Sequence, residues 1–294
     1  MNQQIIPQEA FDWYDEYAHG QIDRREFMGR IATLTISGMT IGSILSGLLP
    51  NYALAEQVSF NDPEITASYQ EFDSPLGNGT GKGYLVTPKA MTTPLPVVLV
   101  VHENRGLNPY IEDVTRRLAK QGFIAFAPDI LHTLGGYPGN DDEGRAMQKT
   151  MDNAKIEQDF ITAARFIKQH DMSNGKCGVV GFCFGGYISN MLAATLPDTI
   201  DAASPFYGTP PPAERIADIK APLLLHFGAL DKRVNGTWGT YEAALIANNK
   251  NYQAHVYDNV NHGFHNDSTS RYHEASAELA WSRTLEFFNK HLRS

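Results

Sequence analysis

The 294-residue chain has only two cysteines, Cys177 and Cys183, and both fall in one short run, KCGVVGFC. Six extended residues span roughly 20 Å at strand rise, beyond the reach of a disulfide. The chain is therefore not a disulfide scaffold. It has no C-x-x-C or H-E-x-x-H spacing, so no zinc site and no other cofactor is expected. Basic runs are missing after the first thirty residues, and the formal net charge is −9. That balance argues against a nucleic-acid partner. Internal repeats and low-complexity tails are absent as well.

What is present divides into two parts. Residues 1–55 read as an N-terminal leader and residues 56–294 as a single domain. Within 24–55, Arg24-Arg25-Glu26-Phe27-Met28 precedes an uncharged stretch over 31–49 diluted by Gly, Ser and Thr, then Pro50 and a small-residue pattern, Ala53-Leu54-Ala55. The pattern resembles a twin-arginine export signal, with Asp23 and a mixed-charge segment as departures. It implies recognition of Arg24 and Arg25 by export machinery, a periplasmic or exported location, and no stable membrane partner after cleavage. The competing readings are a buried or amphipathic helix in a cytoplasmic protein and an uncleaved membrane anchor. The stretch is about the minimum length for crossing a bilayer but weakly apolar for that.

The domain alternates strand and helix. Residues 96–102, 123–127, 177–181, 202–207, 223–227 and 254–257 read as strands. Helices are expected from Asn108-Pro109 to Gly122 and over 154–170, 185–196, 237–248 and 274–291. The run 96–102 is continuously apolar, as in a strand covered on both faces. Such alternation predicts an α/β fold with a mostly parallel central sheet and helices on both sides. Residues 69–86, broken by glycines, predict an antiparallel hairpin at one edge. Residues 134–144, rich in Gly, Pro and Asp, predict a surface loop on the active-site side.

The motif Gly181-Phe182-Cys183-Phe184-Gly185-Gly186 sits between a strand and a helix. It matches the nucleophile elbow G-x-[nucleophile]-x-G with Cys as the nucleophile. Flanking glycines relieve collisions around a sharp turn, and the helix start favours a thiolate and offers the Phe184 N–H to an oxyanion. Alone, Cys183 would better suit a buried structural thiol; the strand–elbow–helix context shifts the reading to a nucleophile. Asp231 and His262 follow in the chain order acid then His, each just past a strand end. His102-Glu103-Asn104-Arg105-Gly106 ends another strand, and its loop should supply the second oxyanion N–H from Asn104 or a neighbour. Glu103 is either a carboxylate that holds the thiol's proton or a surface partner of Arg105.

Taken together, HENRGLNPYIEDVTRRLAKQGF, FAPDI, GVVGFCFGGY, FYG, FGALD and NHGF resemble the dienelactone hydrolase (carboxymethylenebutenolidase) family, an α/β-hydrolase family, from about residue 69 to 292. The resemblance implies Cys183 as nucleophile, His262 as base, Asp231 as its partner and Glu103 as the residue controlling thiol activation. Candidate substrate contacts are Arg105, Tyr207 and Phe264. The arginines that bind the dienelactone carboxylate in well-known members are not found after His262 or Asp129, which points to less acidic esters or lactones. The expected reaction is hydrolysis of a small-molecule ester or lactone through a thioester. The alternatives are a thioesterase, a cysteine peptidase, or a non-catalytic binding protein that keeps the fold.

Overall fold

The computed structural model describes residues 6–34 and 40–293. Four short helices come first: α1 (Gln8–Ala18), α2 (Arg24–Thr33), α3 (Ile41–Leu48) and α4 (Tyr52–Ala55). Residues 1–5 and 35–39 of the expected leader lie outside the described residues. The Arg24-Arg25 pair opens α2, whose N-cap Asp23 accepts a hydrogen bond from the Glu26 N–H at 2.8 Å. Ala53-Leu54-Ala55 falls in α4, with Leu54 85% exposed. Among the described residues, no helix is long and apolar enough to cross a membrane.

Eight strands follow: β1 (Ile65–Ser74), β2 (Gly79–Pro88), β3 (Leu95–Val101), β4 (Ile124–Pro128), β5 (Ser173–Phe182), β6 (Ala202–Phe206), β7 (Leu223–Gly228) and β8 (Tyr252–Tyr257). They form one sheet in the order β1-β2-β4-β3-β5-β6-β7-β8. β2 is antiparallel to β1 and β4, and every pairing from β4 to β8 is parallel. The edge hairpin and the parallel core are thus as the sequence predicts.

The intervening helices are α5 (Pro109–Lys120), α6 (Asp141–Lys149), α7 (Asn153–Lys168), α8 (Phe184–Thr195), α9 (Lys232–Ala247) and α10 (Glu274–Leu292). Alternate residues of β3 face opposite sides of the sheet. Val97, Leu99 and Val101 join the cluster built with α7, α8 and α9, whereas Val98 and Val100 join the cluster built with α5 and α10. Both faces are dry, which is why β3 reads as an unbroken apolar run.

Two expectations need correction. The segment 134–144 is not all loop, because α6 starts at Asp141. Asn140 caps it by accepting from the Glu143 N–H at 2.9 Å, and three acidic residues occupy its first turn. The helix expected from residue 237 starts at Lys232 instead. Asp231 is its N-cap, with Oδ1 accepting from the Val234 N–H at 3.0 Å, so the cap precedes the glycine that disguised the start.

Candidate active site

Cys183 sits between the end of β5 and the start of α8 with φ 59° and ψ −112°. A non-glycine residue in this region is strained, and such strain is common where a side chain must be presented. The turn is so tight that a Cβ on Gly185 would run into the Val101 carbonyl oxygen, and one on Gly181 into the Gly185 carbonyl. Both cysteines are free thiols, and Cys177 is fully buried in the middle of β5.

The loops at the C-terminal ends of the strands bring the acid and the base to this turn. Asp231, just beyond β7, accepts the His262 Nδ1 proton through Oδ2 at 2.6 Å. His262, just beyond β8, precedes Gly263, whose φ of 79° lets the chain turn the imidazole inward. The other ring nitrogen, Nε2, has no hydrogen-bond partner. Burial pushes the His262 pKa down, but Asp231, Asp15 and the Cys183 thiolate outweigh it and raise it to about 10. Burial opposes charge on Asp231 too, yet His262 holds its carboxyl below the usual range. For Cys183, burial favours the thiol, but His19 and then His262 hold the pKa well below that of a free cysteine.

Glu103 is not on the surface. It is buried at the end of β3, accepts from Asn266 Nδ2 at 3.2 Å, and lies 3.7 Å from Arg105 Nε. Burial pushes its carboxyl up, the Arg105 charge offsets part of that, and the nearby Cys183 charge adds to it. Asn104 and Phe184 both line the cavity over Cys183, as does Tyr207. Tyr207 adopts φ 40°, and its ring centre lies 4.8 Å from that of His262.

Two proposed substrate contacts are displaced. Arg105 is buried, ion-paired to Asp141 and Glu103, and does not line the cavity. Its guanidinium is consumed by two internal carboxylates, which removes it as a substrate anchor. Phe264 is also fully buried, packed on Tyr207 with ring centres 5.7 Å apart, and supports the cavity wall from behind. The arginines that do line the cavity are Arg24, Arg145 and Arg233.

The residues that motif reasoning missed come largely from the N-terminal segment. The cavity, about 820 Å³, is walled on one side by Tyr17, His19 and Ile22. His19 Nε2 lies 3.2 Å from Cys183 Sγ. Its Nδ1 meets the Asp15 carbonyl at 2.8 Å and the Asp15 carboxylate at 3.2 Å. Burial pushes the His19 pKa down, but the Cys183 and Asp15 charges outweigh it and raise it. Arg233 Nη2 approaches both histidines, at 3.0 Å from His19 Nε2 and 3.4 Å from His262 Nδ1, the second being a close approach to a nitrogen whose proton goes to Asp231. One ring nitrogen from each histidine and the sulfur lie within 4.8 Å of one another, a donor set suited to a soft cation. The Arg233 guanidinium at the same spot opposes a dication there.

The sheet order, the strained elbow and the acid and histidine on the next strand-end loops define an α/β-hydrolase. The family model of the dienelactone hydrolase family matches residues 82–292, and the chain belongs to that family. It is a carboxylic ester or lactone hydrolase. A second family model, described as YqhI-like, matches residues 1–34 and ends just after α2. The chain is 60% identical over 114 residues to a hydrolase fragment, YghX, of Escherichia coli, covering 39% of this chain and 97% of that one. It is 34% identical to a protein of Aquifex aeolicus named as a carboxymethylenebutenolidase, covering 72% of this chain and 94% of that one. A crystal structure of a protein from Klebsiella pneumoniae named as a dienelactone hydrolase superposes with a TM-score of 0.66 at 29% identity, over 76% of this chain and 99% of that chain.

Proposed function

We propose that this hydrolase acts through a thioester on Cys183, with His262 and Asp231 completing a Cys-His-Asp triad. The observation that carries the reading is the free thiol at the strained elbow beside the Asp231–His262 pair. The thiolate attacks the carbonyl carbon, and the oxyanion is held by the backbone N–H groups of Phe184 and Asn104. The C–O bond breaks as an imidazolium beside the sulfur gives its proton to the leaving oxygen. Water then gives a proton to imidazole and attacks the thioester, the C–S bond breaks, and the thiolate returns. Glu103 sits behind the thiol as a positioning carboxyl, restrained by Arg105 and Asn266. A small ester or lactone is the favoured substrate class; Arg105 is already paired within the protein, so a substrate carboxylate would have to be met by Arg24, Arg145 or Arg233, which line the cavity.

The test is turnover of a panel of enol-lactones and esters by the wild type and by Cys183→Ala. Removing a nucleophile should lower kcat by roughly 10³-fold or more with the fold retained on circular dichroism. Near-wild-type turnover by a folded Cys183→Ala protein would overturn the mechanism.

A further inference from the structure

We propose that residues 8–34 form a working wall of the active site, in which His19, oriented by Asp15, is a second catalytic histidine on Cys183. This rests on the reading of Cys183 as nucleophile given above. His19 Nε2 lies 3.2 Å from the sulfur, in hydrogen-bond geometry, and a ring nitrogen of His262 lies within 4.8 Å of it, so the thiol meets two imidazoles rather than one. Asp15 and His19 are four residues apart at the end of α1 and so fall on one face. His19 Nδ1 donates to the Asp15 carbonyl at 2.8 Å and lies 3.2 Å from the Asp15 carboxylate, an orienting contact looser than the 2.6 Å hydrogen bond of the Asp231–His262 pair.

The segment is fixed to each loop that carries the chemistry. Asn104 Nδ2 donates to the Ala18 carbonyl at 2.8 Å, on the oxyanion side. Tyr17 donates to Asp142 at 3.2 Å, at the start of α6. Lys232 and Arg233, next to the triad acid, reach Asp12 at 2.8 Å and Asp15 at 3.1 Å. Gln8 donates to Asn261, the neighbour of His262. A segment merely lying on the surface would have no reason to engage all four loops.

Two histidines divide the proton work. Protonated His19 gives its Nε2 proton to the departing alkoxide as the C–O bond breaks, leaving the thioester and neutral His19. Arg233 then faces the freed Nε2 lone pair as a donor. Acylation removes the thiolate charge that helps hold the His262 proton, so His262 gives that proton to solvent; neutral His262 then takes the proton of the attacking water, and the returning thiolate and the new acid's proton restore the His19–Cys183 pair. His262 ends the cycle protonated as it began, so one ester and one water give a carboxylate, an alcohol and a proton. The other charged or titratable groups facing the sulfur are Arg233, Glu103 and Tyr207.

The experiment uses full-length protein and two substrates with the same acyl group, an alkyl ester and a nitrophenyl ester. A general acid matters for the poor alkoxide leaving group and little for nitrophenolate. His19→Gln should lower kcat/KM for the alkyl ester by roughly 10²- to 10⁴-fold and for the nitrophenyl ester by less than about 10-fold. Asp15→Asn, a milder change, should show the same substrate dependence with a smaller loss. Equal losses on both esters, no loss, or a gain in either would overturn the inference, a gain marking the segment as a plug. Removal of residues 1–34 from the fully active enzyme, read by intact mass, would overturn it as well. If Cys183→Ala is inactive but His19→Gln leaves the leaving-group dependence unchanged, only this inference fails; an active Cys183→Ala protein removes the reading beneath it.

Discussion

The α/β body and the N-terminal helices are held by different forces. The body packs two extensive apolar clusters against the faces of the sheet. The N-terminal helices have a small cluster of their own around Tyr14, Phe27, Ile31 and Ile44, and meet the active-site rim largely through hydrogen bonds and ion pairs. Apolar burial is undirected and adds up with area, so it makes the body rigid. Polar contacts are directional and partly screened by water and salt, so they position α1 accurately while leaving it cheaper to lift. The nucleophile lies at the seam, with one histidine from each region.

The largest expected effect that sharpens this contrast lies inside the body. Arg105→Ala should destabilise the fold by about 3–5 kcal/mol, because it leaves the buried Asp141 and Glu103 carboxylates without their cation. Denaturant unfolding checks this, and a change below about 1 kcal/mol would mean that the pair behaves like a surface contact.

At the seam, the thiols should differ sharply. Cys183 is depressed by its two histidines, whereas burial pushes Cys177 up to about 12. Iodoacetamide at pH 7 should therefore modify one thiol per chain, lost in Cys183→Ala. Because His262 is raised to about 10, its contribution to stability is full below the ordinary histidine pKa of 6.5 and fades as the pH rises through about 10. The melting temperatures of the wild type and His262→Gln should converge over that window. A constant gap from pH 6 to 10 would contradict a charged His262.

The smallest effect belongs to the outer seam. The Lys232–Asp12 pair is mostly solvated on the lysine side, 83% exposed. Lys232→Ala should change stability by less than about 1 kcal/mol. A larger loss in unfolding experiments would mean that the segment is bound more tightly than its polar contacts imply.

The body was legible because its signals are local. Buried parallel strands leave continuous apolar runs, and the elbow, Asp231 and His262 each sit at a strand end with a characteristic neighbour. The start of α9 was obscured because Gly236 lies five residues past its cap. Arg105 read as a substrate contact because sequence proximity to Glu103 does not reveal Asp141, 36 residues away, which claims its charge. The N-terminal segment was read for its Arg24-Arg25 pair and uncharged stretch, and export through that signal stays a proposal. Its cleavage after Ala55 and a catalytic His19 exclude each other. The contact between His19 and Cys183 spans 164 residues and belongs to no motif. The trace that could have flagged it is the Asp15-x-x-x-His19 spacing on one helix face.

A thioester on Cys183 can be trapped. The enzyme would be mixed with an ester that acylates quickly and deacylates slowly, quenched in acid within the burst, digested and mapped by mass spectrometry. One acyl group per chain is expected on the peptide that carries Cys183, and none on the Cys183→Ala protein. A burst of alcohol release with no acyl adduct on that peptide, or an adduct on another residue, would contradict it.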